Sequence, residues 1–393
     1  MIVKIDKLSH DFRGIARINN KITFVDNTLP NEVVDIRIIG SKKNIDEGRV
    51  ISFIETSPDR IIPKCSYCRL CGGCDTGYIK YDKCLNYKKD IVVDIMKRYA
   101  DIDVAPDIIY DNNIYGYRNK ISLKVCSGKL ALVKEGTNEL VNISRCLLVN
   151  DNINNVIALL NSIDLSSIDE IVIRGTNEIM VIISGDIDRE LLIDTLKDNV
   201  SSIVLNDSVI YGSEYITIKV KNFNYAVYPK SFFQVNTGMI EKLYDKVLEY
   251  VGSGNRLLDL YCGAGTIGLY LARNFNYVYG IEVNSDAVLG ANLNKEINSI
   301  NNISFECKKA NEIKRIDADV VVVDPPRAGL DKTTIKKIID SNVKKVVYVS
   351  CNPITLARDI NILKDKYEVK DISLFDMFPN TKHVESVVKL VIK

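Results

Sequence analysis

From about residue 231 to the end of the chain, apolar runs alternate with longer amphipathic stretches, and this alternation constrains the fold most strongly. The runs "RLLDLY", "YVYGIEV", "DVVVVD" and "KKVVYVS" are apolar at most positions, which is typical of strands covered on both faces. The stretches between them have helical length and spacing, so the pattern predicts a mostly parallel sheet with helices on both sides. The last two runs, "YEVKDISLFDMF" and "ESVVKLVIK", are expected to form an antiparallel edge.

The chain before this region has a different pattern. Residues 1–58 contain short runs rich in Val and Ile, separated by Asn, Asp, Pro and Gly, which predicts a small β-barrel. Between about 110 and 225, β-rich runs are mixed with one or two helical stretches, which predicts an α+β domain with a mostly antiparallel sheet. We therefore expect a multidomain α/β protein divided into residues 1–58, 59–228 and 229–393.

Charge and composition place few limits on partners. Lys and Arg total 52 against 51 Asp and Glu, so any site for a polyanion must be a local patch. The helical stretch from Tyr81 to Tyr99 interleaves basic residues with tyrosines, which suits RNA, although a solvated helix face has the same pattern. The N-terminus is charged throughout and no apolar stretch approaches ~20 residues, so we expect a soluble cytoplasmic protein without a membrane span.

Four of the ten cysteines are clustered in "KCSYCRLCGGC", at Cys65, Cys68, Cys71 and Cys74. In a long chain without an export signal, this clustering indicates a metal site instead of disulfides. The regular spacing nominates all four as ligands, and four thiolates suit either structural zinc or an iron–sulfur cluster.

A glycine motif follows the first predicted strand of the C-terminal sheet. The stretch "DLYCGAGTIG" places Gly263, Gly265 and Gly268 in G-x-G-x-x-G spacing at the start of a helix, where a backbone without Cβ atoms can approach a nucleotide closely. Glu282 ends the next strand, about twenty residues on, where a carboxylate can bind both ribose hydroxyls. The pattern predicts a nucleotide site but does not separate a nicotinamide dinucleotide from S-adenosylmethionine.

Further polar side chains lie where other predicted strands end or begin. Asp324 is followed by Pro325 and Pro326, which fix an extended backbone and would form a rigid lip beside a ligand. Cys351 ends the next strand, and Glu385 begins the last one. Taken alone, Cys351 is compatible with an unreactive thiol in the core, and Glu385 with an exposed charge on an edge strand. At the ligand-binding edge of a sheet, an activated thiolate becomes the alternative.

Several longer stretches resemble the RNA uracil-5 methyltransferase family. In the C-terminal region these are "SFFQVN", "LDLYCGAGTIGLYLA", "GIEV", "DPPRAGL", "YVSCNPITLARD" and "DMFPNTKHVESV". Two upstream stretches are similar to sequences of the family branch that carries an iron–sulfur cluster. They are C-x5-C-G-G-C, formed by Cys65, Cys71 and Cys74, and "YGYRNKISLKV". The stretches "HDFRGIARINNKITFVDNTLPNEVVDIRI" and "SPDRIIPKC" resemble its N-terminal TRAM domain, an OB-like RNA-binding barrel. The resemblance implies a TRAM barrel, a central iron–sulfur and RNA-binding domain, and a Rossmann-like class I methyltransferase domain, in that order.

Roles for individual residues also follow from the resemblance. It implies Cys351 as the nucleophile and Glu385 as the base. The cluster ligands of the family fall on Cys65, Cys71, Cys74 and Cys146, which leaves Cys68 and Cys84 as extra cysteines. Asn380 stands where the family often has histidine. The residues expected to contact S-adenosylmethionine are Gln234, Tyr261, Gly263, Gly265, Thr266, Glu282, Asn311 and Asp324.

Methylation at C5 of uracil explains why a thiolate and a base are both needed. C5 is a poor nucleophile until a thiolate adds at C6 and turns the ring into an enolate. After methyl transfer, a base must remove the C5 proton so that the cysteine can leave. We therefore expect S-adenosylmethionine-dependent methylation of a uridine that has left its stack. A cytosine-5 methyltransferase is disfavoured because Ser350, not proline, precedes Cys351.

The substrate is expected to be large-subunit (23S) ribosomal RNA, and the enzyme a monomer with a 4Fe–4S cluster. The alternatives are formation of 5-methyluridine in tRNA and an iron–sulfur RNA-binding protein without catalysis.

Overall fold

A six-stranded, mostly antiparallel sheet occupies the N-terminus of the computed structural model, which describes all 393 residues. Buried and exposed side chains alternate along its strands, as expected for a sheet with one face on a small apolar core. The small β unit predicted at the N-terminus is therefore confirmed. In the order β1-β5-β6-β4-β3-β2, the strands are β1 (Ile2–Lys4), β2 (Lys7–Leu8), β3 (Gly14–Ile18), β4 (Lys21–Val25), β5 (Val33–Ser41) and β6 (Ile45–Glu55).

The cysteine segment and one long helix follow this sheet. The helix, α1 (Tyr81–Ile95), continues into a π-helical turn over Met96–Ala100, and a short strand, β7 (Asp107–Ile109), comes next. Although the stretch was predicted as a possible RNA-facing helix, Lys88 is only 1% exposed. One side of α1 therefore faces the protein interior.

A second sheet of seven strands lies in the middle of the chain, and its neighbouring strands are antiparallel except for one pair. Two helices, α2 (Asp151–Leu160) and α3 (Arg189–Leu196), pack on it around one apolar core. This matches the predicted α+β domain. The strands, in the order β10-β9-β8-β11-β12-β13-β14, are β8 (Lys120–Cys126), β9 (Lys129–Val133), β10 (Leu140–Asn142), β11 (Ile168–Gly175), β12 (Ile179–Gly185), β13 (Ser202–Leu205) and β14 (Ser208–Gly212).

The C-terminal part is an eight-stranded α/β sheet preceded by a hairpin, β15 (Ile216–Val220) and β16 (Phe223–Val227). Apolar cores cover both faces of the sheet, which explains why its central strands have no polar face. The helices are α4 (Thr237–Val251), α5 (Thr266–Leu271), α6 (Ser285–Ile297), α7 (Lys332–Ser341) and α8 (Pro353–Leu363). The strands, in the order β19-β18-β17-β20-β21-β23-β22-β7, are β17 (Gly254–Leu260), β18 (Phe275–Glu282), β19 (Ile303–Cys307), β20 (Val320–Val323), β21 (Lys345–Ser350), β22 (Tyr367–Phe375) and β23 (Glu385–Ile392).

The last two strands, β22 and β23, were predicted to form an antiparallel edge of this sheet, but neither is its outermost strand. β23 is antiparallel to both β21 and β22 and lies between them, and β7 pairs in parallel with the outer side of β22. Val92 and Ile95 of α1, and Met96 of the π-helical turn, are buried in the same core as Leu356 of α8. Residues 81–109 therefore pack on the C-terminal sheet, and the division at 59–228 stays a proposal.

No helix of the structure combines the length and the apolar character needed to cross a membrane.

Candidate active site

Asp324, Cys351 and Glu385 lie at the carboxyl edge of the C-terminal sheet. Asp324 and Cys351 directly follow the neighbouring parallel strands β20 and β21. β23 runs antiparallel to β21, with Ser350 opposite Ser386. Glu385, one residue before Ser386, is therefore level with Cys351, one residue after Ser350. The strand register alone brings the thiol and the carboxylate to the same place.

Cys351 occupies a tight turn from strand to helix. Asn352 caps α8 by accepting a hydrogen bond from the amide of Ile354 (3.1 Å), and Pro353 occupies the first turn, where its missing N–H costs nothing. The side-chain amide of Asn352 also donates to the carbonyl oxygen of Arg327 (3.0 Å). The turn that carries Cys351 is thus fixed against the double-proline loop that carries Asp324.

The thiol of Cys351 is neutral in the free protein. Burial raises its pKa to about 11, with further contributions from Glu385 and Asp324, while the guanidinium of Arg327 opposes the shift. Burial raises the pKa of Asp324 to about 7. Burial and the charge of Asp324 also hold the pKa of Glu385 well above its ordinary value. Two carboxyls that hold their protons this strongly next to a thiol are suited to exchanging protons with a ligand.

A cavity of about 190 Å³ opens beside Cys351. It is enclosed by the turn after β2, with His10 and Phe12, by Lys88 of α1 and by His383. Burial, reinforced by a nearby guanidinium, lowers the pKa of His383 to about 4, so this imidazole is uncharged at neutral pH. The N-terminal sheet, α1 and the C-terminal sheet all contribute walls, so the cavity forms only when the three are assembled.

A second cavity of about 290 Å³ lies at the ends of β17 and β18 and is lined by Tyr261, Glu282 and Asn311. The two oxygens of Glu282 accept hydrogen bonds from the amides of Gly263 (3.1 Å) and Asn284 (2.9 Å). These bonds fix the carboxylate beside the glycine turn. Tyr261 has a φ of 64°, which is unusual for a residue with a side chain and is often found at functional sites.

The glycine turn has the shape that close approach by a ligand requires. Gly263 and Gly265 have φ values of 54° and 76°. A Cβ at Gly265 would come within 2.6 Å of the ring of Phe305, whereas a Cβ at Gly263 would meet no atom within 4 Å. The space above Gly263 is therefore free for a ligand, and these features fit S-adenosylmethionine.

Two other residues predicted to contact S-adenosylmethionine, Thr266 and Gln234, lie outside both cavities. Thr266 begins α5, and its hydroxyl accepts a hydrogen bond from the hydroxyl of Tyr244 (2.8 Å). Gln234 lies on the loop before α4, where its carbonyl oxygen accepts a hydrogen bond from the side chain of Asn119 (3.0 Å). Neither residue lines the two cavities.

Asp259 was not singled out from the sequence, and its carboxyl is influenced by the charge of Asp324. It lies on β17, is fully buried, and neither carboxylate oxygen has a hydrogen-bond partner. Burial, together with the charge of Asp324, raises its pKa to about 8. The signal was an acidic residue inside an otherwise apolar strand, immediately before the glycine motif. Arg327 and Lys88 were missed too, because a loop arginine and a helix lysine look like surface residues.

Five cysteines come together where the cysteine segment meets the central domain. All are free thiols; Cys71 and Cys74 are buried. Burial raises the pKa of Cys74, and the neighbouring thiols, including Cys68 and Cys146, add to the shift. The structure contains no group of three or more His, Cys, Asp or Glu side chains arranged to hold a single metal ion. The chemistry of the thiol set fits a cluster, whose ligands surround a larger body than one ion.

Asn380 has a clear structural role. Its φ is 64°, a left-handed conformation that Asn tolerates better than most residues. Its side-chain amide donates to the carbonyl oxygen of Ile114 (2.7 Å), and its own carbonyl oxygen accepts from the amide of Thr76 (3.2 Å). Asn380 thus joins the loop before β23 to the cysteine segment and to the chain before β8.

Comparisons with known proteins agree with this geometry. The sequence model of the tRNA (uracil-5-)-methyltransferase family matches residues 195–393, and that of the TRAM domain matches residues 1–51. An uncharacterised RNA methyltransferase of Halalkalibacterium halodurans is 33% identical, with 100% of this chain and 96% of that protein covered. A relative of the same description from Oceanobacillus iheyensis is also 33% identical, with 99% and 95% covered.

One solved structure is similar over the full length of both chains. It is the Pyrococcus abyssi tRNA (uracil-54, C5)-methyltransferase in complex with S-adenosyl-L-homocysteine, with a TM-score of 0.82 at 28% identity.

Fold and comparisons together define an S-adenosylmethionine-dependent RNA methyltransferase with an N-terminal TRAM domain. The chain belongs to the tRNA (uracil-5-)-methyltransferase family. The predicted enzyme class, RNA (uracil-5-)-methyltransferase, is confirmed, as is the predicted order of barrel, central domain and methyltransferase domain.

Proposed function

We propose that this enzyme methylates C5 of a uridine in RNA through a covalent intermediate on Cys351, with Glu385 as the base that ends the reaction. The observation that carries the proposal is the strand register of β21 and β23, which sets the Cys351 thiol, on the wall of the first cavity, level with the Glu385 carboxyl. The proposed adenosyl site, with Tyr261, Glu282 and Asn311, lies at the same edge of the sheet.

The first step is addition of the Cys351 sulfur to C6 of the uracil. Because the thiol is neutral in the free protein, it gives up its proton as it attacks, and the ionised form of Asp324, whose pKa is about 7, is the proposed acceptor. The electrons of the C5–C6 double bond move toward O4, which makes C5 nucleophilic. S-adenosylmethionine, when bound, supplies the methyl group to C5.

The second step restores the aromatic base. C5 then carries both its original hydrogen and the new methyl group. The Glu385 carboxylate removes that hydrogen as a proton, the C5–C6 double bond re-forms, and the bond from C6 to the Cys351 sulfur breaks. Glu385 is 2% exposed, so bulk water does not compete for this proton.

The target uridine must leave its helix to reach the thiol. A cavity of about 190 Å³ below the TRAM domain is suited to a single flipped base. All proposed site residues belong to one chain, so we propose that a monomer is sufficient.

An iron–sulfur cluster held by Cys65, Cys71, Cys74 and Cys146 is part of this proposal. The mutual influence of these thiols supports it. Cys146 also lies beside Ser144, whose amide donates to the hydroxyl of Tyr67 (3.3 Å) in the cysteine segment. Such a cluster would fasten the cysteine segment to the central domain.

Large-subunit ribosomal RNA remains the proposed substrate class. tRNA is the second candidate, and the observation in its favour is the full-length similarity to the Pyrococcus abyssi tRNA (uracil-54, C5)-methyltransferase.

The test uses labelled S-adenosylmethionine with unmodified tRNA and ribosomal RNA, separately, followed by nucleoside analysis of each product. Loss of 5-methyluridine with Cys351→Ala would support the proposed nucleophile. Product in tRNA alone would overturn the substrate class. Binding of RNA without any product would favour a non-catalytic RNA-binding protein.

A further inference from the structure

The loop that delivers Glu385 is held mainly by other parts of the molecule. This loop, residues 376–384, connects β22 to β23 and will be called the Glu385 loop. Four successive carbonyl oxygens in it accept hydrogen bonds from four separate segments of the chain. The donors are Asn236 Nδ2 to Met377 (3.1 Å), Lys88 Nζ to Phe378 (3.4 Å), Tyr117 Oη to Pro379 (2.9 Å) and the amide of Thr76 to Asn380 (3.2 Å).

The first residue of the loop is fixed by a buried ion pair. Lys88 Nζ lies 2.6 Å from Asp376 Oδ1, and both side chains are fully buried. The hydroxyl of Tyr81, also on α1, donates to the other oxygen of Asp376 (2.7 Å). Removing one partner of such a pair leaves an uncompensated buried charge, so the pair holds α1 firmly against the loop.

The far end of the loop is held by the cysteine segment. Asp75 accepts a hydrogen bond from the amide of Lys382 (3.4 Å), and its other oxygen lies 3.8 Å from the ammonium of Lys382. Lys382 directly precedes His383, which lines the Cys351 cavity together with Lys88. The contacts therefore reach the wall of the proposed active site.

Cys351 and the adenosyl cavity do not depend on this loop. Cys351 follows β21 and is fixed by the cap of α8, whereas Tyr261 and Glu282 follow β17 and β18. A displaced Glu385 loop would leave the thiol and the proposed S-adenosylmethionine contacts in place.

We propose that Lys88 is a positioning residue for Glu385, so that the N-terminal half of the chain controls the final proton removal. The inference rests on the proposed function. Substituting Lys88 should slow loss of the C5 proton and release of the sulfur, while addition and methyl transfer continue. Misplacement of a reacting group by about 1 Å is enough to slow a step about 100-fold.

The experiment follows both events in one turnover. The substrates are tRNA and ribosomal RNA that lack 5-methyluridine, each labelled with tritium at C5 of uridine. S-adenosylmethionine carries a ¹⁴C-methyl group. Tritium released to water reports proton removal, and ¹⁴C in RNA reports methyl transfer. RNA that stays bound to protein after denaturation reports the covalent intermediate. The wild type should release tritium as fast as it incorporates ¹⁴C.

Because Lys88 also lines the Cys351 cavity, the rates are compared at saturating RNA. For Lys88→Met we expect tritium release to be slowed about 100-fold relative to ¹⁴C incorporation, and protein–RNA adduct to accumulate. Lys89→Met, on the same helix and without an ion pair in the structure, is the matched control and should behave like the wild type. Tyr117→Phe removes only the hydroxyl that donates to the carbonyl oxygen of Pro379, and it should slow tritium release by a smaller factor. This variant replaces Lys88→Met in the test if Lys88→Met does not fold.

Equal slowing of both signals in Lys88→Met and Tyr117→Phe, or no change in either, would overturn the proposal. Glu385→Gln separates this failure from failure of the proposed function. If Glu385→Gln accumulates adduct and the Lys88 and Tyr117 variants do not, only the positioning role is wrong. If Glu385→Gln releases tritium like the wild type, Glu385 is not the base.

Discussion

At the scale of single residues, the proposed active site contains three acidic groups whose pKa values are raised. Glu385 is buried and Asp324 and Cys351 are half-buried, and loss of solvent raises the pKa of all three groups. Burial is the main reason that the thiol is neutral, and the charges of Glu385 and Asp324 add to the effect. We infer that the thiol becomes reactive only during attack on a bound base, which protects it from other electrophiles.

The rate of methyl transfer should therefore rise with pH. The pKa of Asp324 is raised to about 7, and Asp324 must be deprotonated to accept the proton that the Cys351 thiol, with a pKa of about 11, gives up as it adds. Single-turnover rates measured from about pH 5.5 to 9 should increase across neutrality. A rate that is flat or falls with pH would contradict this account of the thiol.

Asp259 should make the folded state less stable at high pH. Its pKa is raised to about 8, whereas an unfolded Asp titrates near about 3.9. Between these values the folded protein keeps a proton that the unfolded chain has lost, so the free energy of unfolding falls as pH rises. The loss is up to about 1.4 kcal/mol per pH unit for one proton. Urea unfolding of Asp259→Asn should show a weaker decline from pH 5 to 8 than the wild type, and an equal decline would contradict it.

At the scale of elements, helix caps and strand ends place the reactive groups. Asn352 caps α8, fixes the double-proline loop and adjoins Cys351. One polar side chain thus couples the start of a helix to the position of the thiol.

Asn352→Ala should lower the free energy of unfolding by about 1 kcal/mol and reduce methyl transfer, because the turn at Cys351 loses its anchor. Asp188→Ala is the matched control: it removes the cap of α3 in the central domain, where Asp188 accepts from the amide of Leu191 (2.8 Å). The control should lose similar stability and keep full activity. Equal activity of the two variants would contradict a role of the cap in placing Cys351.

Elements with strong local signals could be predicted from the sequence, and elements made by distant pairing could not. α4 spans Thr237–Val251 as its apolar spacing indicates. β7 has only three residues and becomes a strand by pairing with β22, far along the chain, so no local pattern marks it. The residues at strand ends were foreseen because the parallel sheet brings them together. The burial of Lys88 was not foreseen, because it depends on how α1 packs on another domain.

At the scale of the whole molecule, the proposed active site is a junction of domains. The TRAM domain, α1 and the methyltransferase domain enclose the Cys351 cavity, and the cysteine segment braces the Glu385 loop. With a net charge of +1, recognition of RNA must depend on this assembled surface instead of a general positive field.

The proposed cluster should depend on the distant Cys146. Purified without oxygen, the wild type should contain about four iron atoms per chain, and Cys146→Ser should contain less. Cys126→Ser is the matched control, since Cys126 is a free thiol of the same domain and should leave the iron content unchanged. If Cys68→Ser loses iron and Cys146→Ser does not, Cys68 is the fourth ligand and the proposed set is wrong.

The central claim, a covalent intermediate on Cys351, is tested most directly with RNA containing 5-fluorouridine. Fluorine at C5 cannot be removed as a proton, so the intermediate should stay attached to the protein. After incubation with S-adenosylmethionine and digestion, mass spectrometry should find a methylated fluorouracil nucleotide on the peptide that contains Cys351. No adduct should form with Cys351→Ala. An adduct on another cysteine, or turnover of ordinary RNA without any trapped adduct, would contradict the account.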